Sequence, residues 1–300
     1  MNPRTAAIVV TVAICLSANP ARPPVTLVAS SPVASHRLPA IERPASSAAF
    51  AHLARTDPIA MLDASIYRSR SELRGFRAVM HKQERIGGTL FPPEELRIAL
   101  RESPFAVLMI WTKNPRSAQV GGFSLGKVEG VLYAAGENEG NMLVWRPGAL
   151  LSPITPSNPV GTPARSASRY AITEPGLTHI AERTRRAWAT ARDHDRLVWE
   201  YVGEKSVPAV GGRRCHVIRR TCQPAEVDPF LSAEPQPTPT PGDQDAFATV
   251  TIMLDAETWL QVGSEQHNEA GELVGAYYFR EVEQNPAFGP DQFKVSALKK

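Results

Sequence analysis

The sequence predicts an α+β fold, with roughly eight to ten antiparallel strands in two blocks and one amphipathic helix before each block. Three observations carry this. Strand-like segments follow one another through short turns, without the strand–helix–strand alternation of a parallel sheet. Two stretches with apolar residues at helical spacing, near residues 58–71 and 173–191, interrupt the strands. The unbroken apolar run Phe105–Trp111, flanked by Pro104 and Pro115, is too short to cross a membrane and reads as a strand needing cover on both faces.

In chain order, Ala48 to Ala54 begins a helix, and Asp57-Pro58 starts a second that places Ile59, Leu62 and Ile66 on one face. Gly75 marks the change to strand character. Phe76, Ala78 and Met80 alternate with Arg77, Val79 and His81, and the polar run Lys82–Arg85 extends the strand. Strands at 96–101 and 105–112 are joined by a tight connection. Residues 113–126 read as a loop, and strands at 128–135 and 141–145 flank the turn Glu137–Gly140. The proline-rich stretch 147–172 reads as an irregular crossing. Thr173 and Pro175 then open the second main helix, whose stripe includes Leu177, Ile180, Ala181, Thr184 and Trp188. Strands follow at 197–202, 213–220, 247–254, 259–266 and 273–282. The segment 223–245, with Pro-Gln-Pro-Thr-Pro-Thr-Pro-Gly, reads as a mobile loop inserted between strands.

Arg4, the apolar stretch Ala6–Leu16 and the small residues after it have the layout of an export signal, here taken as residues 1–19. A Pro/Ala/Ser-rich linker at 20–47 follows, then a single domain over 48–300. Export places the domain in the periplasm or cell envelope and leaves Cys215 and Cys222 in an oxidising compartment. On one straight strand they would lie roughly 23 Å apart on opposite faces, at about 3.3 Å per residue. Either the chain turns between them and they form a disulfide, or they do not pair. With 33 Lys and Arg scattered along the chain and a formal net charge of only +3, nothing resembles a nucleic-acid surface.

No nucleophile elbow, zinc helix or phosphate loop is present, and nothing calls for a metal or cofactor. Asp193, His194 and Asp195 at a helix end read as turn residues. His179 with Glu182 lacks a third ligand, and Glu200 between Trp199 and Tyr201 has only a superficial likeness to a glycosidase carboxylate. The chain therefore reads as a non-enzyme. Apolar strand residues are the stronger signal: Phe105, Val107, Met109 and Trp111 share one strand face, Met142 and Val144 can lie beside them, and Trp188 comes from the helix that packs on the sheet. These seven residues are the candidate ligand-binding set, lining an apolar cavity between sheet and helices. The other face of the run, with Ala106, Leu108 and Ile110, requires cover from the N-terminal helix or the 147–172 crossing.

The stretches Leu73–Phe76, Lys82–Arg85, Pro104–Trp111, Gly140–Val144, Ser168–Gly176 and Gly271 to Phe293 occur in the order found in a bacterial secreted family, domain of unknown function 1571, which the chain resembles over roughly residues 55–296. That family is similar in layout to the periplasmic lipoprotein-carrier superfamily. The resemblance implies a strongly curved, open antiparallel half-barrel with helices on its concave face, and binding or transport of a lipid or acylated ligand in the envelope. An envelope structural or protein-interaction module with a filled core is the alternative. Peripheral contact with a membrane and a monomeric state fit either.

Overall fold

The computed structural model describes residues 46–120, 123–149, 152–231, 239–240 and 242–299, all within one compact unit, Ile41–Lys300. The expected export signal and nearly all of the linker lie outside the described residues. Helices α1 (Ser47–Thr56) and α2 (Pro58–Glu72) come first, then strands β1 (Gly75–Ile86), β2 (Thr89–Leu90), β3 (Glu94–Arg101), β4 (Ala106–Lys113), β5 (Ser117–Val120), β6 (Phe123–Lys127), β7 (Gly130–Ala134), β8 (Met142–Trp145) and β9 (Ile154–Ser157). Helices α3 (Thr162–Ala167) and α4 (Leu177–Asp193) precede β10 (Val198–Val207), β11 (Arg213–Glu226), β12 (Phe247–Asp255), β13 (Gln261–His267) and β14 (Leu273–Gln284).

Local chemistry explains where the helices begin. Asp57 caps α2 by accepting from the backbone N–H groups of Ile59 and Ala60 at 3.1 and 3.0 Å, with Pro58 in the first turn. Helix α4 starts at Leu177 with Gly176 as its N-cap. The expected opening at Thr173 is displaced because Glu174 N–H bonds Ala171 C=O, which places Thr173 in a preceding turn.

Twelve strands of the described residues form one open antiparallel sheet, in the order β10-β11-β12-β13-β14-β1-β3-β4-β7-β8-β9, with β2 paired to β1. The fold is thus α+β, with a curved sheet that does not close. Two sequential meanders are joined where β1 pairs β14, setting Met80 opposite Phe279 and Lys82 opposite Tyr277. Both outer edges are blunted. Strand β9 carries Pro156, and β10 has a bulge between Tyr201 and Gly203.

The apolar run is buried on both faces, with Ala106 and Val107 fully enclosed. On the helix-covered face a ladder crosses five strands: Ala78, Ile98, Met109, Val131 and Val144 are successive partners. On the other face Ala99, Leu108, Leu132 and Leu143 are covered by Phe288, Phe293, Ala297 and Leu298. The N-terminal helices do not supply that cover: α1 and α2 pack with Trp188 against Ile218 of β11 and Ile252 of β12 instead. Among the described residues of the crossing only Ile154 touches this layer, while Ala164 and Ile172 pack on the helix-covered face.

Two loops prove structured. The 113–126 loop contains the β5–β6 hairpin, and the 147–172 crossing contributes β9 and α3. The 223–245 insertion is shorter than expected, since β11 runs through Pro224 to Glu226. Its next segment is tied down by Asp228, which is buried against Arg169.

Candidate functional site

The helix-covered face carries a partly open cavity of about 390 Å³. Its sheet wall is built by strand alternation: Met80 and Leu96 lead to Trp111, and Met109 leads through Val131 to Val144, with Met142 alongside. The opposite wall comes from α3 and the segment after it (Ala164, Ala167, Tyr170, Ile172) and from Ile180 of α4.

One end of the cavity is ionic. Strand β1 passes from Met80 to Lys82 and Glu84 on the same face, and β3 adds Glu94 opposite Lys82. Glu84 is fully buried. It accepts from Lys82 Nζ at 3.0 Å, Tyr277 Oη at 2.8 Å, and Ser168 Oγ and the Arg169 backbone N–H at 3.2 Å each. Arg116 bridges Glu84 and Glu94, and Trp111 Nε1–H donates to Glu94 at 2.6 Å. Burial by itself would raise the Glu84 carboxyl, but Lys82 and Arg116 beside it, with the Tyr277 hydroxyl, outweigh burial and hold it at about 2. Two cations face two carboxylates, so this end is charge-balanced and hydrogen-bonded.

A second buried cation fixes the opposite wall. Arg169 donates to Asp228 at 2.8 Å, to the Arg85 carbonyl at 2.7 Å and to the Asp245 carbonyl at 2.8 Å. Its neighbour Tyr170 presents its ring to the cavity under Arg183, whose guanidinium carbon lies 3.8 Å from the ring centre. The Tyr170 hydroxyl accepts from Gln266 Nε2 at 2.7 Å. Burial raises both Tyr170 and Tyr277 well above the usual phenol range, so both remain neutral.

Of the residues singled out in the sequence, Met109, Trp111, Met142 and Val144 line the cavity together. Phe105 and Val107 lie further along the same face in closed core, with Phe105 set edge-on to His179 at 5.5 Å between ring centres. Trp188 does not belong to this group. It is 1% exposed and packs with Phe50, Ile59, Leu62 and Trp259 in a separate layer between helices and the β11–β12 part of the sheet. Only the N-terminal turns of α4 reach the cavity. Of the two alternatives left open by the sequence, the cysteines do not pair: Cys215 and Cys222 are free, buried thiols. They sit in different apolar clusters, because seven positions along one strand separate them in both distance and face.

The weaker chemical candidates are also dispersed. Glu182 pairs with Arg70 at 2.7 Å, whereas His179 faces Glu102 at 3.8 Å. Glu200 stands on the outer strand, 4.0 Å from Arg219. Among the described residues no three His, Cys, Asp or Glu side chains are grouped to hold a metal, and no helix is long and apolar enough to cross a membrane. The cluster Lys82, Glu84, Glu94 and Arg116 was not singled out from sequence. Its signal was present: Lys82 and Glu84 continue the period-two face that carries Ala78 and Met80.

The family model described as protein of unknown function (DUF1571) matches residues 73–297. No curated protein matches the chain. Among solved structures, MucB is 15% identical with a TM-score of 0.42; the match covers 78% of this chain and 62% of MucB, so this chain spans less than two thirds of MucB. MucB is also seen in the Pseudomonas aeruginosa MucA/MucB complex. The Mycobacterium tuberculosis lipoprotein LppX is 14% identical, with a TM-score of 0.38 and coverage of 77% and 98%. A LolA superfamily protein from Nitrosomonas europaea is 8% identical, with a TM-score of 0.33 and coverage of 79% and 99%.

Proposed function

The chain belongs to the family described as protein of unknown function DUF1571, and we propose that it binds or transports a lipid or acyl chain, without chemistry, in the bacterial cell envelope. The observation that carries this reading is the cavity of about 390 Å³ on the concave face, apolar along the sheet and closed at one end by paired charges. Ligand pockets span about 300–1,000 Å³, and a cavity of about 150 Å³ already holds benzene. The two cations and two carboxylates at the ionic end balance in charge, with Arg116 Nη1 left without a hydrogen bond among the described residues. Met80, Met109 and Met142 give the wall adaptable side chains suited to a flexible chain. Action in the envelope follows from the leader-like first 19 residues.

Uptake of a neutral fluorescent apolar probe, N-phenyl-1-naphthylamine, tests the reading. The delipidated protein is expected to bind it saturably, one per chain. Val144→Phe, which extends into the cavity from the sheet wall, should weaken binding at least about tenfold while leaving the melting temperature unchanged or raised. A filled-core interaction module predicts no saturable uptake in either protein, and that result would overturn the proposal.

A further inference from the structure

Four cationic side chains line the cavity: Lys82, Arg116, Arg146 and Arg183. Lys82 and Arg116 are matched by Glu84 and Glu94, and Arg183 by Glu174 at 3.2 Å. Arg146 has no carboxylate partner among the described residues. Its one side-chain hydrogen bond there runs from Nη2 to Thr155 Oγ1 at 2.7 Å, and its Nε is buried without a partner. It stands one step beyond β8, two residues after Val144, and Thr155 is the cross-strand partner of Val144. The unmatched guanidinium is thus held beside the apolar wall.

We propose that the cavity takes an amphiphile with one anionic head, a carboxylate or a phosphate, paired with Arg146 while its tail lies along Val144, Val131 and Met109. This rests on the lipid-binding reading and adds the class of ligand. A guanidinium left partly unsatisfied beside apolar surface is costly. A head with two oxygens matches its fork better than any neutral group does. The other lining charges cancel, so Arg146 sets the sign of the site. Thr155 is a positioning residue that fixes the direction of the guanidinium.

Displacement of the bound neutral probe by dodecanoate, dodecyl phosphate and dodecanol separates the claims. Either anion should displace it at about ten- to a hundredfold lower concentration than dodecanol. Whichever anion acts at the lower concentration identifies the head. Arg146→Gln should erase the preference, read as the ratio of dodecanol to anion concentration at half-displacement, and Arg146→Lys, which retains the charge, should keep part of it. Equal displacement by all three in the unmodified protein would overturn the proposal, as would an Arg146→Gln variant that weakens all ligands alike or keeps the preference. Failure of the neutral probe to bind at all would instead sink the lipid-binding reading, and this proposal with it.

Discussion

Glu84 is the residue on which the closed end of the cavity depends. In the unfolded chain its carboxyl ionises near 4.5, and in the fold at about 2. The folded state therefore binds a proton less readily, and the pairing stabilises the protein above the unfolded value. That contribution, about 3 kcal/mol, is lost as pH falls from about 5 to 2. Glu84→Gln leaves Lys82 and Arg116 with Glu94 alone, and should cost about 3–5 kcal/mol at pH 7. Urea unfolding of both proteins from pH 7 to pH 2.5 is expected to show the gap closing below about pH 5, where the carboxyl of the unfolded chain takes up a proton while the native one, at about 2, still resists it. A gap that stays constant through that range would contradict the assignment. Residue identity alone gives little hint of this. Strand alternation puts Lys82 and Glu84 on the inward face of β1, but nothing in Lys82–Arg85 itself names the partners from β3, β14 and the segment after α3 that make their burial tolerable. Those partners lie up to 193 positions away, beyond the reach of local pattern.

Elements show the same division between what is local and what is not. The alternation in β1 and the unbroken run in β4 are legible because the side-chain period of a strand is fixed by its backbone. The stripe on α4 is equally legible, yet a stripe names a face of a helix and not what each turn meets. Leu177 and Ile180 pack over the β1–β4 part of the sheet, while Trp188, about two turns on, meets α1, α2 and Trp259. The segment Phe288–Leu298 has no regular periodicity to mark it, yet it covers Leu108, Leu132 and Leu143. Gly130 admits it: a methyl group there would come within 3.1 Å of Leu298 Cδ2 and 3.0 Å of Ile110 Cδ1. Leu298→Ala should therefore destabilise the fold by about 2–5 kcal/mol, read from the urea midpoint, and leave probe uptake intact because the cavity lies on the opposite face. A loss within error of zero would mean that this segment is not part of the core.

At the scale of the molecule, the pairing of β1 with β14 makes one sheet of two meanders, and its order explains why the cavity lies where it does. Strands β1, β3, β4, β7 and β8 are consecutive neighbours, so residues from Met80 to Val144 share one continuous wall. A meander was readable from the short turns; the join between the two blocks was not, since it pairs segments about 200 positions apart. On the proposed function, an apolar chain occupies the space beside that wall. Trp111 lines the cavity, whereas Trp188, Trp199 and Trp259 lie in the α1–α2 layer and Trp145 faces the Phe288–Leu298 side. Titration with a brominated stearate, followed by tryptophan fluorescence, therefore reports on that space through Trp111. Saturable quenching at one ligand per chain, largely lost in Trp111→Phe, is the predicted result. No quenching, or equal quenching in Trp111→Phe, would contradict it.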